Sequence, residues 1–302
     1  MPKKNDDEWF KSKWGSDDQL GTLNLLNEDK VLETLKLVRT GKVIQLGHQM
    51  YNGMPGRHAF HGPFYYLISQ RVYDNRPPFR EPTKNGFGGA LGRVEMSDHT
   101  GTHLDALNHI SKDEKYYNGI DSHEVTGNTG TSKLGIDTSP AIVTRGVMVD
   151  VTKGANNIAE RGKPISVKQV EEFLDAHFLD VVAGDAIFFY TGVSRLWDNS
   201  DQYNSYFESS PGIGMELAKW IASKGASVSG ADVPSSEVVP AEKPGERLPV
   251  HQELITKNGI RLIDNIKLDE LAKEKVYEFL FVCSPLRIKG GTASPVVPLA
   301  IF

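Results

Sequence analysis

The sequence predicts an α/β domain, bordering on α+β, with mixed sheets and few helices. Three observations point there. Strand-like runs outnumber helix patterns, and the two do not alternate strictly, as a doubly wound nucleotide fold would require. With 302 residues, 39% of them hydrophobic and 24% charged, the chain buries a full core without metal or disulfide staples. Runs rich in β-branched and aromatic residues at 43–50, 64–72, 91–96, 141–151, 186–191, 228–230, 260–263 and 279–283 read as strands.

Helices are fewer. Asn27 is an N-cap for a helix carrying Val31, Leu32, Leu35 and Val38 at helical spacing, with Gly41 as its stop. Ser166 and Gln169 form a capping-box pair ahead of Val167, Val170, Phe173 and Leu174. A third helix runs from about Pro211 to Lys224, with Leu217, Trp220 and Ile221 inward and Gly225 at its end. Residues 1–18 read as an N-terminal arm, polar but carrying Trp9, Phe10 and Trp14 for docking, for instance on a neighbouring subunit. Residues 19–302 read as a single catalytic domain. Two stretches, 53–63 and 234–249, are too rich in Pro and Gly for regular structure, and loops this long are usually functional.

Charge and composition narrow the function classes. Lys and Arg total 34 against 39 Asp and Glu, and no tract gathers the basic residues, so nucleic acid is not expected as a partner. No run of about 18 apolar residues suggests a membrane span, and the first residues lack the apolar core of a signal peptide. The single cysteine, Cys283, lies in an apolar run and fits a reducing compartment. A cytoplasmic enzyme acting on a small molecule is the expectation.

The densest chemistry is the segment His99-Thr-Gly-Thr-His103-Leu-Asp105-Ala-Leu-Asn-His109. A straight strand would put His99 and His103 on one side but roughly 13 Å apart at about 3.3 Å per residue, too far for one metal ion. A helix would join the two rings but turn Asp105 away, and Thr-Gly-Thr is a poor helix core. A bend at Gly101 removes both conflicts. It delivers two imidazoles and a carboxylate, a ligand set suited to Zn²⁺ or Mn²⁺ with positions left for water. His109 is then free to act as acid and base, as a histidine near its ordinary pKa, while Asn108 and the threonines are placed to orient the ring nitrogens. His251, after the second loop, and Asp264, ending a strand, are candidate partners of this cluster. His61, Phe64 and Tyr65 are candidates to meet an aromatic substrate, as is Phe60. Glu237, in the loop before His251, is a speculative site residue, with solvent exposure the commoner fate of such a side chain. Gly86, Gly88 and Gly92 lack the dinucleotide-binding pattern, and there is no G-x-S-x-G elbow.

His99 to His109 resembles the H-x-G-T-H-x-D-x-P-x-H signature of the metal-dependent cyclase family, which includes bacterial kynurenine formamidases and isatin hydrolases. The likeness extends to WGSDDQLGTLNLL from Trp14, RGVMVD from Arg145, GDAIFFYTG from Gly184, HQEL from His251 and KGGTASP from Lys289, and is strongest to longer members with an N-terminal extension. The resemblance implies a swivelling β/β/α domain, association as homodimers or homotetramers, metal ligands His99, His103 and Asp105, and catalytic His109. It implies His251 as ligand or catalytic partner. Leu107 replaces the motif's proline, and Asp264 stands where dinuclear members have glutamate, so one Mn²⁺ or Zn²⁺ is expected, with a second metal at Asp264 left open. The reaction implied is cleavage of an amide C–N bond in an arylformamide or a cyclic amide. The alternatives are a lactone or ester hydrolase or a cyclase using the same site, or a silent metal-dependent binding protein.

Overall fold

The computed structural model describes residues 11–75, 78, 80–152, 154 and 157–302. Trp9 and Phe10 therefore lie outside the described residues. Nine strands form one sheet: β1 (Val43–Gln45), β2 (His103–Asp105), β3 (Ile142–Asp150), β4 (Ala186–Tyr190), β5 (Val228–Ala231), β6 (Arg261–Asp264), β7 (Glu278–Cys283), β8 (Ala293–Pro295) and β9 (Leu299–Ile301). Their order is β1-β9-β7-β3-β4-β5-β6-β2-β8. The four central strands, β3 to β6, run parallel, and both flanks are antiparallel. The expected mixed sheet is present.

Side chains alternate across this sheet, as strand geometry requires. Val147, Val149, Ile187, Phe189 and Leu262 join a buried cluster on one face. Met148, Ala186, Phe188, Ile263 and Phe281 join a second cluster on the other. A parallel centre is buried on both faces, and this explains why these strands read as unbroken apolar runs.

Helices α1 (Glu28–Leu35), α2 (Val167–Ala176), α3 (Met215–Lys224) and α4 (Asp269–Glu274) are joined to the sheet by irregular chain. Val170 and Leu174 of α2 and Leu217 and Ile221 of α3 pack on the first face. Asn27 caps α1 by accepting from Lys30 N, and Ser166 caps α2 by accepting from Gln169 N. The reciprocal half of that capping box is absent, because the Gln169 amide donates to Val151 O instead. Helix α3 begins later than expected, since Gly212–Ile213 pairs as a short parallel strand with Pro164–Ile165. The apolar stripe of α1 is not buried: Leu32 and Leu35 stay exposed, and Thr34 is its buried residue.

The run at 43–50 is a strand only to Gln45, after which the chain turns and Leu46 N donates to Pro298 O. The runs at 64–72 and 91–96 form a separate two-stranded ribbon, Tyr65–Gln70 with Leu91–Glu95, outside the main sheet. Neither of its faces is buried, and Tyr65, Leu67, Ile68, Leu91 and Val94 are all exposed. Of the N-terminal arm, Ser12 and Asp18 take hydrogen bonds from the Tyr117 hydroxyl, and Asn118 holds the carbonyls of Gly15 and Ser16. This described part of the arm docks on its own chain. No helix of the described residues is long and apolar enough to cross a membrane.

Candidate metal centre and active site

Strand β2 lies between β6 and β8, antiparallel to both. His103 and Asp105 are two apart and share one face, while Leu104 between them enters the core behind. Asp264 stands opposite His103 in the register and reaches the same face. The bend ahead of β2 falls at Gly101, whose φ of 65° is a left-handed conformation that glycine adopts without strain. It folds His99 back until its ring centre is 5.0 Å from that of His103. Asn265, directly after neighbouring strand β6, fixes the bend: its amide donates to Gly101 O and its backbone carbonyl accepts from the Thr102 hydroxyl.

Three imidazoles are each tied through one nitrogen and turn the other toward Asp105. The Thr292 hydroxyl donates to Asp98 Oδ2 at 2.8 Å, so its oxygen accepts from His99 Nε2 at 3.1 Å and leaves His99 Nδ1 bare, 3.3 Å from Asp105 Oδ1. His103 Nδ1 donates to Gly101 O at 2.9 Å, leaving Nε2 3.7 Å from both Asp105 Oδ1 and Asp264 Oδ2. His251 Nδ1 donates to Glu237 Oε1 at 2.7 Å, leaving Nε2 3.6 Å from Asp105 Oδ2 and 3.8 Å from Asp264 Oδ2. Neither oxygen of fully buried Asp105 accepts a hydrogen bond, nor does Asp264 Oδ1.

A buried carboxylate without a donor costs several kcal/mol unless a cation compensates it. Bare imidazole nitrogens converging on that carboxylate are what a divalent ion of intermediate softness requires. Ligand atoms of His99, His103 and Asp105 lie within 4.8 Å of one another, as do those of Asp105, His109 and His251. The donor set fits a divalent metal. The same carboxylates act on the protons of the surrounding rings. Burial disfavours a charged His251 ring, but Glu237 and Asp264 outweigh it and hold the ring well above its ordinary pKa. His99 is raised likewise, against burial, by Asp105 and Asp98.

His109 differs from the other three. Its ring centre is 4.1 Å from that of His99, yet its ring nitrogens have no hydrogen-bond partner among the described residues. Burial drives its pKa down to about 4, against the pull of Asp105 and helped by the neighbouring His99 and His251. The expectation of an ordinary pKa is thus corrected: at neutral pH this ring is uncharged. Its turn is held without the proline, by wholly buried Leu107, by a bond from His109 N to Ala106 O, and by Asn108 donating to Thr131 and Gly291.

That use of Asn108 overturns its expected role. Neither it nor Thr102 bonds a ring nitrogen: the Thr102 hydroxyl donates to Asn265 O, and the Asn108 amide donates to Thr131. Thr292, the Gly101 carbonyl and Glu237 orient the rings instead. Glu237, expected in solvent, is 2% exposed and also accepts from Val250 N, anchoring the helical turn Pro249–His251 that presents His251. Glu237→Gln is expected to weaken metal affinity about 10- to 100-fold, the usual cost of losing a partner that orients a ligand, measured by competition with a chromophoric chelator. Unchanged affinity would show that the pair only holds the loop.

The centre forms the floor of a cavity of about 510 Å³, a size suited to a single small molecule. Phe60, Phe207, Pro234, Val238 and Leu248 give it apolar walls, and His61 reaches it beside His99. Phe64 lines a smaller recess next to the centre together with Trp197 and Tyr203. Tyr65 lines neither. It is the next residue along the ribbon and projects to the opposite side, half exposed, so its expected contact with substrate is not found.

Residues 44–238 match the profile of a family described as putative cyclase. The chain belongs to the cyclase family. Among its relatives, a protein named kynurenine formamidase from Bacillus thuringiensis (strain Al Hakam) is 26% identical over 209 residues, covering 68% of this chain and 77% of that one. A solved structure titled as a novel cyclase has a TM-score of 0.87 at 26% identity and covers 98% of this chain and 99% of its own. Isatin hydrolase A from Ralstonia solanacearum shares the fold, with a TM-score of 0.66 at 18% identity over 86% of this chain and 91% of its own. The cyclase fold and the mixed sheet anticipated from sequence are therefore both present.

Proposed function

We propose that this cyclase-family protein is a metal-dependent hydrolase that cleaves the amide C–N bond of a small aromatic or cyclic amide, an arylformamide or an isatin-like ring. One observation carries the reading. Three tethered imidazoles and an unpartnered buried carboxylate converge at the floor of an apolar cavity, while a fourth imidazole, His109, is left untethered on the same floor. The names of the relatives, kynurenine formamidase and isatin hydrolase, support the same bond class.

His99, His103 and Asp105 would hold the ion, with His251 and Asp264 completing the floor around it. A bound Mn²⁺ or Zn²⁺ supplies Lewis acidity, polarising a carbonyl and making water a nucleophile near neutral pH. The residues of this chain do the rest. Uncharged His109 takes the proton from the attacking water. A ring whose charged form is so disfavoured then readily returns that proton to the departing nitrogen, the step an amide needs most. The apolar walls hold the organic part of the substrate and keep bulk water from the floor.

The test is ultraviolet-monitored turnover of N-formylkynurenine and of isatin by protein reconstituted with Mn²⁺ or Zn²⁺, beside a control treated with EDTA. Hydrolysis of at least one that is lost with EDTA and restored by metal is the expected result. Metal retention without turnover of either would overturn the substrate class proposed here.

A further inference from the structure

The two Pro- and Gly-rich loops meet at the mouth of the cavity, and each brings an arginine. Arg57 comes from the first loop and Arg247 from the second, and both line the cavity. Their guanidinium carbons lie 4.5 Å and 5.5 Å from the centre of one phenyl ring, that of Phe60, which is itself 63% exposed. Neither guanidinium has a hydrogen-bond or ion-pair partner among the described residues. Two cations thus share a cavity rim with no anion attached to them.

A guanidinium resting on an aromatic ring spends its flat face there. The N–H donors around its edge stay free, in the planar fork that matches a carboxylate. The acidic residues of the rim do not cancel the pair. Glu208 and Glu246 line the cavity beside the two arginines, but neither is ion-paired with them, and Glu246 lies 3.6 Å from Lys243, a third cation. The cavity is therefore polarised along its length, with the metal-ligand cluster at the floor, an apolar wall between and an unengaged cationic fork at the mouth.

We propose that Arg57 and Arg247 select substrates that carry a carboxylate on the aromatic body, at the end away from the scissile bond. Neutral ring amides of the isatin kind are then disfavoured relative to aryl amides bearing an acid. This rests, for its activity arm, on the amide-hydrolase reading above.

The experiment compares formanilide with its ortho-, meta- and para-carboxylate derivatives, each hydrolysed by one water to formate and the aryl amine. The metal-reconstituted wild type and the Arg57→Gln/Arg247→Gln double variant are assayed side by side, with metal content and circular dichroism checked for both. The meta or para acid is expected to exceed both formanilide and the ortho acid in kcat/KM by about tenfold or more, the worth of a charge-assisted hydrogen-bond pair, and the double variant should erase that ratio; a preference for the ortho acid alone overturns the proposal. A ratio near one in wild type, or one that survives in the variant, overturns the proposal while leaving the hydrolase reading intact. If wild type hydrolyses none of the four, the hydrolase reading is decided by the N-formylkynurenine and isatin assay, and the arginine proposal is decided by binding. Calorimetry with benzoate should then show affinity at least tenfold weaker in the double variant. The metal's own hold on a carboxylate is common to both proteins, so equal affinity, or no binding by wild type, overturns the proposal.

Discussion

Asp105→Asn is expected to strip the protein of metal and reduce hydrolysis by about a thousandfold or more, matching the several kcal/mol that a bound Lewis acid contributes to such a reaction. The amide keeps the shape of the carboxylate and removes its charge. Asp105 touches the free nitrogens of His99 and His103 through one oxygen and of His251 through the other, so no other residue contacts as many of the candidate ligands. Metal analysis after gel filtration and a chelator-competition titration would measure the loss. Thermal unfolding separates this effect from misfolding. Against its burial, neighbouring imidazoles hold the Asp105 carboxyl well below the usual carboxylate range, so the metal-free variant should keep a cooperative transition, though below that of metal-free wild type, and loss of that transition would mean misfolding. Full metal retention by the Asn variant would move the centre elsewhere.

His109→Ala should behave differently. Its ring is the one left untethered, so metal content stays at the wild-type level while kcat falls by about 10² to 10⁴, the range for losing a positioned acid and base. A ring with a pKa of about 4 works as a base only when uncharged. The ratio of wild-type to variant rate at saturating metal, which isolates the His109 contribution, should accordingly hold steady from pH 7 down to about 5 and drop as pH falls through 4, where His109 takes up its proton. An acid limb near pH 6.5 that vanishes in the variant would mean an ordinary imidazole. Loss of metal in the variant would make His109 a ligand and undo the division of roles.

Much of this site was legible in the sequence because its centre is local. His99, His103 and Asp105 lie within one short segment, and the conflict between strand and helix spacing could be resolved only at a residue tolerant of positive φ, which is where Gly101 turns. The orienting groups were not legible. Thr292 meets His99 across 193 residues of sequence, and no local pattern encodes that contact. Glu237 looked solvated amid prolines, although the apolar pair Val238–Val239 beside it hinted at burial. Strands of three residues, such as β2, β8 and β9, are too short for an alternation to register. Helix α1 misled in the opposite sense, since its stripe of leucines implies a core that this chain does not place against it.

The bond from Asn265 to Gly101 joins residues 164 apart in the chain, and the ligand cluster is divided across the same gap, His99 to His109 on one side and His251 with Asp264 on the other. A partly folded chain holds half of the set, with half of its affinity-giving charge. Tight metal capture by this set would therefore wait until β2 has found β6. An ion held as proposed would from then on tie together two ends of a very long loop, whose opening would forfeit the metal's whole binding free energy, a penalty that grows with the logarithm of free ion concentration. Resistance to unfolding would then be a readout of metal supply, and scarcity of the ion would deplete the protein itself as well as its turnover.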